Sequence, residues 1–151
     1  MTTTNDKNIA TVMHLSALTQ YVIPFGNYIF PIIIWSTKKD QSEFVDANGK
    51  QVLNFQLSIF IYSVILCLIA IPILIYTFFK TANFNTVFND NHFEIENFNI
   101  HDITGISILG IIAGFLFFAI KFIEFAVIII AAVKSSNGET YKYPLTIPFL
   151  K

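Results

Sequence analysis

"YVIPFGNYIFPIIIW", Tyr21–Trp35, is the stretch on which the fold turns. It is apolar enough for lipid, yet it holds Pro24, Gly26, Asn27 and Pro31. Each proline removes a backbone donor, and glycine loosens the turn between them. Two arrangements fit. One is a single membrane span, about residues 13–35, kinked at the prolines. The other is a re-entrant pair of half-helices, about 13–23 and 27–36, neither able to cross. We prefer the kinked span, because proline is tolerated in membrane helices and exposed loops at depth are not. The kinked form places the N-terminus outside and the re-entrant form places it inside.

Outward from this stretch the chain stays greasy. Of 151 residues, 54% are hydrophobic and 13% charged, against about 25% charged in ordinary soluble domains. Mean hydropathy is +0.63. Two further segments reach the roughly 20 residues that a crossing needs. They are about 55–79, which carries no charge, and about 105–133. The expected fold is therefore an all-α integral membrane protein with three transmembrane helices in a single membrane domain, residues 1–151. Spans lie at about 13–35, 55–79 and 105–133. The loop 36–54 and tail 134–151 share one side, and an acidic loop, 80–104, lies on the other. The first dozen residues lack a basic stretch and a small-residue cleavage site, so no cleaved signal peptide is expected.

Lysine bias orients the spans. Lys38, Lys39, Lys50, Lys134, Lys142 and Lys151 fall on one side, against Lys7 and Lys80. The lysine-rich side should face the cytoplasm, which makes this a multi-pass protein of the bacterial inner membrane. Net charge is −1 and no arginine is present, so nucleic acid is not an expected partner. Cys67 is the sole cysteine, which precludes an intramolecular disulfide.

The run from His14 to Tyr62 contains "HLSAL", "PFGN", "PIIIW", "KKDQS", "FVD", "GK" and "LNFQ". The tail "AAVKSSNGETYKYPLTIPFLK" adds a lysine, a Gly-Glu and an aromatic-Pro-Leu. Together these pieces cover about half the chain. They resemble a family of small bacterial membrane proteins catalogued as domain of unknown function four-eight-seven-zero and described as Tic-twenty-like, after a chloroplast import component. The resemblance implies an integral membrane protein with no established reaction, and points weakly to protein handling at a membrane. The chain departs from the pattern in the length of 80–104, in a charged pair inside the third span, and at Pro148, where relatives commonly carry a basic residue.

That charged pair, Lys121 and Glu124, is the foremost candidate site. Three residues apart, the two share a helix face, and charges in hydrocarbon are costly unless paired. Ser107, Gly110, Gly114, Phe117 and Ile128 lie on the same stripe. Gly110 and Gly114 form a Gly-x-x-x-Gly that permits close helix packing. The bland reading is a neutralised pair that locks helices together; the sharper one is a proton or ion relay.

The loop 36–54 is the second candidate, an interfacial elbow or a docking surface formed by Lys38, Lys39, Asp40, Asp46, Gly49, Lys50 and Asn54. Asp40 or Ser42 could cap a short helix that carries Phe44 and Val45 toward the interface. Asn48-Gly49 reads as a turn. Polar stripes (Ser16, Gln20 and Asn27; Gln56, Ser63 and Cys67) suit interhelical hydrogen bonds, and Pro72 should kink the second span. His14, near the outer interface, and His92 and His101, in the outer loop, have no metal-ligand spacing. Phe84, Phe88 and Phe93 could lie on the membrane surface. Tyr141 and Tyr143 suit the headgroup layer as an anchor.

No nucleophile–base set, cofactor motif or metal motif is visible. The expected function is that of a scaffold or accessory subunit, working as a homo-oligomer or with a larger membrane-protein partner in the lipid bilayer. A transport or translocation component is the alternative, and a bacteriocin-immunity or envelope-stress protein a second one.

Overall fold

The computed structural model describes residues 2–81 and 105–151. Helix α1 is Thr4–Ser16 and continues as a 3-10 turn, Ala17–Tyr21. Helix α2 is Gly26–Lys38. A short 3-10 turn, Lys39–Gln41, leads into α3, Glu43–Thr81, and α4 is Gly105–Ser136. No strand occurs among the described residues. The outer loop with His92, His101 and its phenylalanines lies outside them.

Two of these helices are long and apolar enough to cross a membrane. Helix α3, 39 residues, reaches about 58 Å, and α4, 32 residues, about 48 Å. Only 17% of the most apolar window of α3 and 28% of that of α4 is buried within the chain. A core helix of a soluble domain would be mostly covered, so these faces are built for oil.

The first apolar segment is not one helix. Helices α1 and α2 have 13 residues each, about 20 Å, too short for the roughly 30 Å of hydrocarbon. The chain reverses over residues 22–25. Phe25 takes a left-handed conformation, φ 62°, and Gly26 comes so close to Thr19 that a Cβ would sit 2.5 Å from its hydroxyl. At the other end Met13 and Trp35 both reach Gly49 on α3. Thr19 opposite Gly26, and Met13 near Trp35, make α1 and α2 an antiparallel hairpin. Much of the backbone of the turn is satisfied locally. Val22 and Ile23 donate to the Thr19 carbonyl, Gly26 donates to that of Ile23, and Pro24 has no N–H to satisfy. Pro31, buried inside α2, leaves that helix continuous.

The hairpin also moves the N-terminus. Lys7 Nζ donates to the Asn137 carbonyl, 3.4 Å, just beyond the end of α4. Residue 7 therefore lies at the end of the fold that carries Lys38, Lys39 and Lys134. A capping box between Thr3 and Asp6 starts α1 there, and these hydrogen bonds hold the Asp6 carboxyl below its ordinary pKa.

The loop 36–54 is mostly helix. Asn48-Gly49 is no turn but lies inside α3. Gly49 is glycine because the Trp35 indole and Met13 Sδ occupy the space of a side chain. Val45 faces the protein interior and is fully buried rather than turned to an interface. Gly49→Ala should lower the melting temperature in detergent, at a cost of about 2 kcal/mol from overpacking. In an open helix the same change would add about 0.5–1 kcal/mol of stability, so the sign of the shift, read by circular dichroism, checks the contact.

The chain forms two compact units. One comprises residues 1–61 and 120–151, and the other 62–119. The second is a pair of helical stretches in which Gly110 meets Ile73: a Cβ there would lie 2.7 Å from Ile73 Cγ2. Gly114 has nothing within 4 Å of its Cβ position among the described residues, where Gly110 is thus the glycine of the Gly-x-x-x-Gly with a packing partner. Helix α3 continues through Pro72, which lacks the N–H for one bond of the helical ladder.

Candidate functional site

The first unit is greasy outside and buries a set of polar side chains within its apolar core. His14, Asn48, Gln56, Ser58, Glu124 and Ser135 are fully buried. Their hydrogen bonds fall into three groups, and each group ties distant parts of the chain together.

The first group centres on Asn48. Its Nδ2 donates to the Phe44 carbonyl, 2.8 Å, one turn back on α3. That leaves Oδ1 as acceptor for the Ser135 hydroxyl, 2.9 Å, and for His14 Nε2–H, 3.0 Å. With its proton on Nε2, His14 accepts at Nδ1 from the Tyr143 hydroxyl, 2.7 Å. Four side chains from α1, α3, α4 and the tail are thus closed into one neutral net. Burial pushes the His14 imidazole down to about 4, although the Asn48 hydrogen bond works the other way. Burial also raises the Tyr143 phenol well above its usual value, so it keeps the proton it donates. His14 is therefore a core residue rather than one at an outer interface. Tyr143 is no headgroup anchor: it is 5% exposed and stacks on Phe55 with ring centroids 4.2 Å apart.

The second group straps the tail to α3. Asn54 Oδ1 accepts from the backbone N–H of Phe149 and Leu150, 3.1 and 2.7 Å, while its Nδ2 donates to the Leu150 carbonyl, 2.9 Å. One turn on, Ser58 Oγ accepts from the Ile147 N–H, 2.9 Å. Asn54 thus serves the tail, not an outside partner.

The third group holds the tip of the hairpin. Gln20 Nε2 donates to Glu124 Oε1, 2.9 Å, and Lys121 Nζ to Glu124 Oε2, 2.8 Å. The Lys121 side chain is 31% exposed and that of Glu124 not at all. Lys121 lines a shallow open groove with Tyr21, Phe122 and Phe125. On the other arm Asn27 Nδ2 donates to Gln56 Oε1, 2.7 Å, and the Tyr28 hydroxyl to the Gln56 carbonyl, 3.2 Å. Ser16, grouped with these by its spacing, instead donates to the Met13 carbonyl in its own helix. Ser63 Oγ and Gln56 Nε2 are buried without a hydrogen-bond partner.

The remaining loop residues divide. Trp35 Nε1–H donates to Asp46, 2.8 Å, Lys50 pairs with Asp46 at 2.6 Å, and Lys39 lies 5.2 Å from the Trp35 ring centre. Lys38 closes α2, and Asp40 sits in the connecting 3-10 turn. Among the described residues, no three His, Cys, Asp or Glu side chains gather as a metal site.

Residues 5–150 match the model of the MamF/MmsF family, described as the magnetosome magnetite crystal formation protein family. The chain belongs to that family. No curated protein and no solved structure matches it. The magnetosome family is a small membrane-protein family, in accord with a membrane chain, but the match lends nothing to the domain-of-unknown-function or Tic-twenty-like naming. In this magnetosome-family chain sequence reading passed over Ser58 and Ser135, and took Asn48 only as part of a turn. Asn48 and Ser135 are 87 positions apart, and no periodicity on a single helix could have joined them.

Proposed function

We propose that this chain is a multi-pass scaffold or accessory protein of a bacterial inner membrane or of a compartment drawn from it. Helices α3 and α4 would cross, with both chain ends and the lysine-rich end in the cytoplasm. Lys7 joins that end through Asn137, so seven lysines would face inward, in keeping with positive-inside topology. The observation that carries the scaffold reading is that most of the buried polar groups bond to one another, Gln56 Nε2 and Ser63 Oγ excepted. His14, Asn48, Ser135 and Tyr143 bond to one another, and Glu124 accepts from Gln20 and Lys121. A catalytic centre or an ion path needs polar groups directed at something else. The process to test first is the one in the family description, magnetite crystal formation at the magnetosome.

The experiment is deletion of the gene in a magnetite-forming host, with purification of the tagged full chain in mild detergent. Crystals altered in size or number inside intact membranes, with the chain recovered as a complex, support the reading. Unchanged crystals together with a chain that purifies alone would overturn it.

A further inference from the structure

The exposed surface of the α1–α2 hairpin changes character half-way along. Near the base it is polar, with Thr4, Asn5 and Asn8 on one arm and Ser36 and Thr37 on the other exposed. Toward the turn it becomes continuously apolar. Val12, Leu15, Val22, Phe25, Ile29 and Ile33 are all open, Val22 at 84% and Phe25 at 66%. From Val12 to Tyr21, half of it the 3-10 turn, and from Gly26 to Trp35, each arm spans ten residues, about 15–18 Å. That is half of a roughly 30 Å hydrocarbon layer. The apolar band of the hairpin is one leaflet deep.

The polar contacts of the hairpin agree with that depth. Gln20, next to the turn, reaches Glu124. Glu124 lies 12 residues before the end of α4 at Ser136, about 18 Å along the helix, close to a bilayer midplane. Asn27 reaches Gln56 on the other arm. The tip is thus fastened to both crossing helices, and within the turn Val22, Ile23 and Gly26 find backbone acceptors.

From this we infer that the α1–α2 hairpin is a half-depth wedge in the cytoplasmic leaflet, so that the chain favours membranes convex toward the cytoplasm. The partner is the lipid itself. A segment that occupies one leaflet and not the other expands that leaflet, and binding of this kind is sensitive to curvature. Lys38 and Lys39 at the hairpin base suit anionic headgroups there. The inference goes beyond the scaffold reading and holds whether or not a protein partner exists.

The test uses the full chain with Cys67→Ser and one new cysteine, Thr2→Cys, Val22→Cys or Thr140→Cys, in phosphatidylethanolamine–phosphatidylglycerol vesicles sorted by size. A membrane-impermeant maleimide should label positions 2 and 140 from the same face. Position 22 should be silent to it and be quenched by a lipid carrying its quencher near the bilayer centre. With the lysine-rich face outward, protein density should be about threefold higher on the smallest vesicles than on the largest. Val22→Lys with Phe25→Lys should abolish that preference while position 140 keeps its side. Labelling of 2 and 140 from opposite faces, reaction of position 22 in water, or equal density at all diameters would each overturn the inference.

Discussion

Replacing Glu124 by leucine should cost the detergent-solubilised chain about 2–3 kcal/mol of stability, less than the roughly 3–5 kcal/mol of a fully buried ion pair, because Lys121 is part exposed. Glu124 is wholly enclosed and accepts from both Gln20 and Lys121. Its loss strands an ammonium on an apolar surface and an amide in the interior. Lys121→Met together with Glu124→Leu should recover most of the loss, because charge and countercharge leave together and helix packing survives. Gln20→Leu added to the double variant should cost nothing further. Thermal or detergent-induced unfolding followed by circular dichroism reads all three. If the single and double variants melt alike, the pair is uncoupled and the hairpin tip is held by something else.

Acid should weaken the fold through His14. Its imidazole titrates near 4 in the folded chain and near 6.5 when unfolded. Above pH 6.5 neither state is protonated, and stability is independent of this group. Between 6.5 and 4 the unfolded chain binds a proton that the folded chain refuses, so stability falls as pH falls. Below 4 both states carry the proton and the loss levels off. The shift corresponds to roughly 3 kcal/mol in all, at about 1.4 kcal/mol per pH unit. His14→Gln should flatten melting temperature against pH in that window, whatever it does to the plateau. A wild-type profile that is already flat there would show that His14 is not buried neutral.

Much of the architecture was open to reading from residue type. The uncharged run 55–79 and the apolar run 105–133 could only be helices, since no other single segment satisfies its backbone in oil. The first segment misled because proline, glycine and asparagine mark both a kink and a reversal. What separates the two is whether the turn can feed its own donors. That rests on Thr19 accepting from Val22 and Ile23, a three-dimensional fact no hydropathy scale contains. Asn48-Gly49 misled in a related way. The dipeptide is common in turns, yet here glycine makes room for Trp35 and Asn48 serves three partners. Lys121 and Glu124 stood out by cost alone. Their third member, Gln20, sits 104 positions from Glu124, and only the fold names it.

The strap and the histidine net also set an order of assembly. Tyr143 is synthesised 129 residues after His14, and Leu150 is 96 after Asn54. While the nascent chain is still emerging, α1, α2 and the first half of α3 must wait with His14 and Asn54 unmatched. The head of the protein can close only after α4 and residues 143–150 have been made.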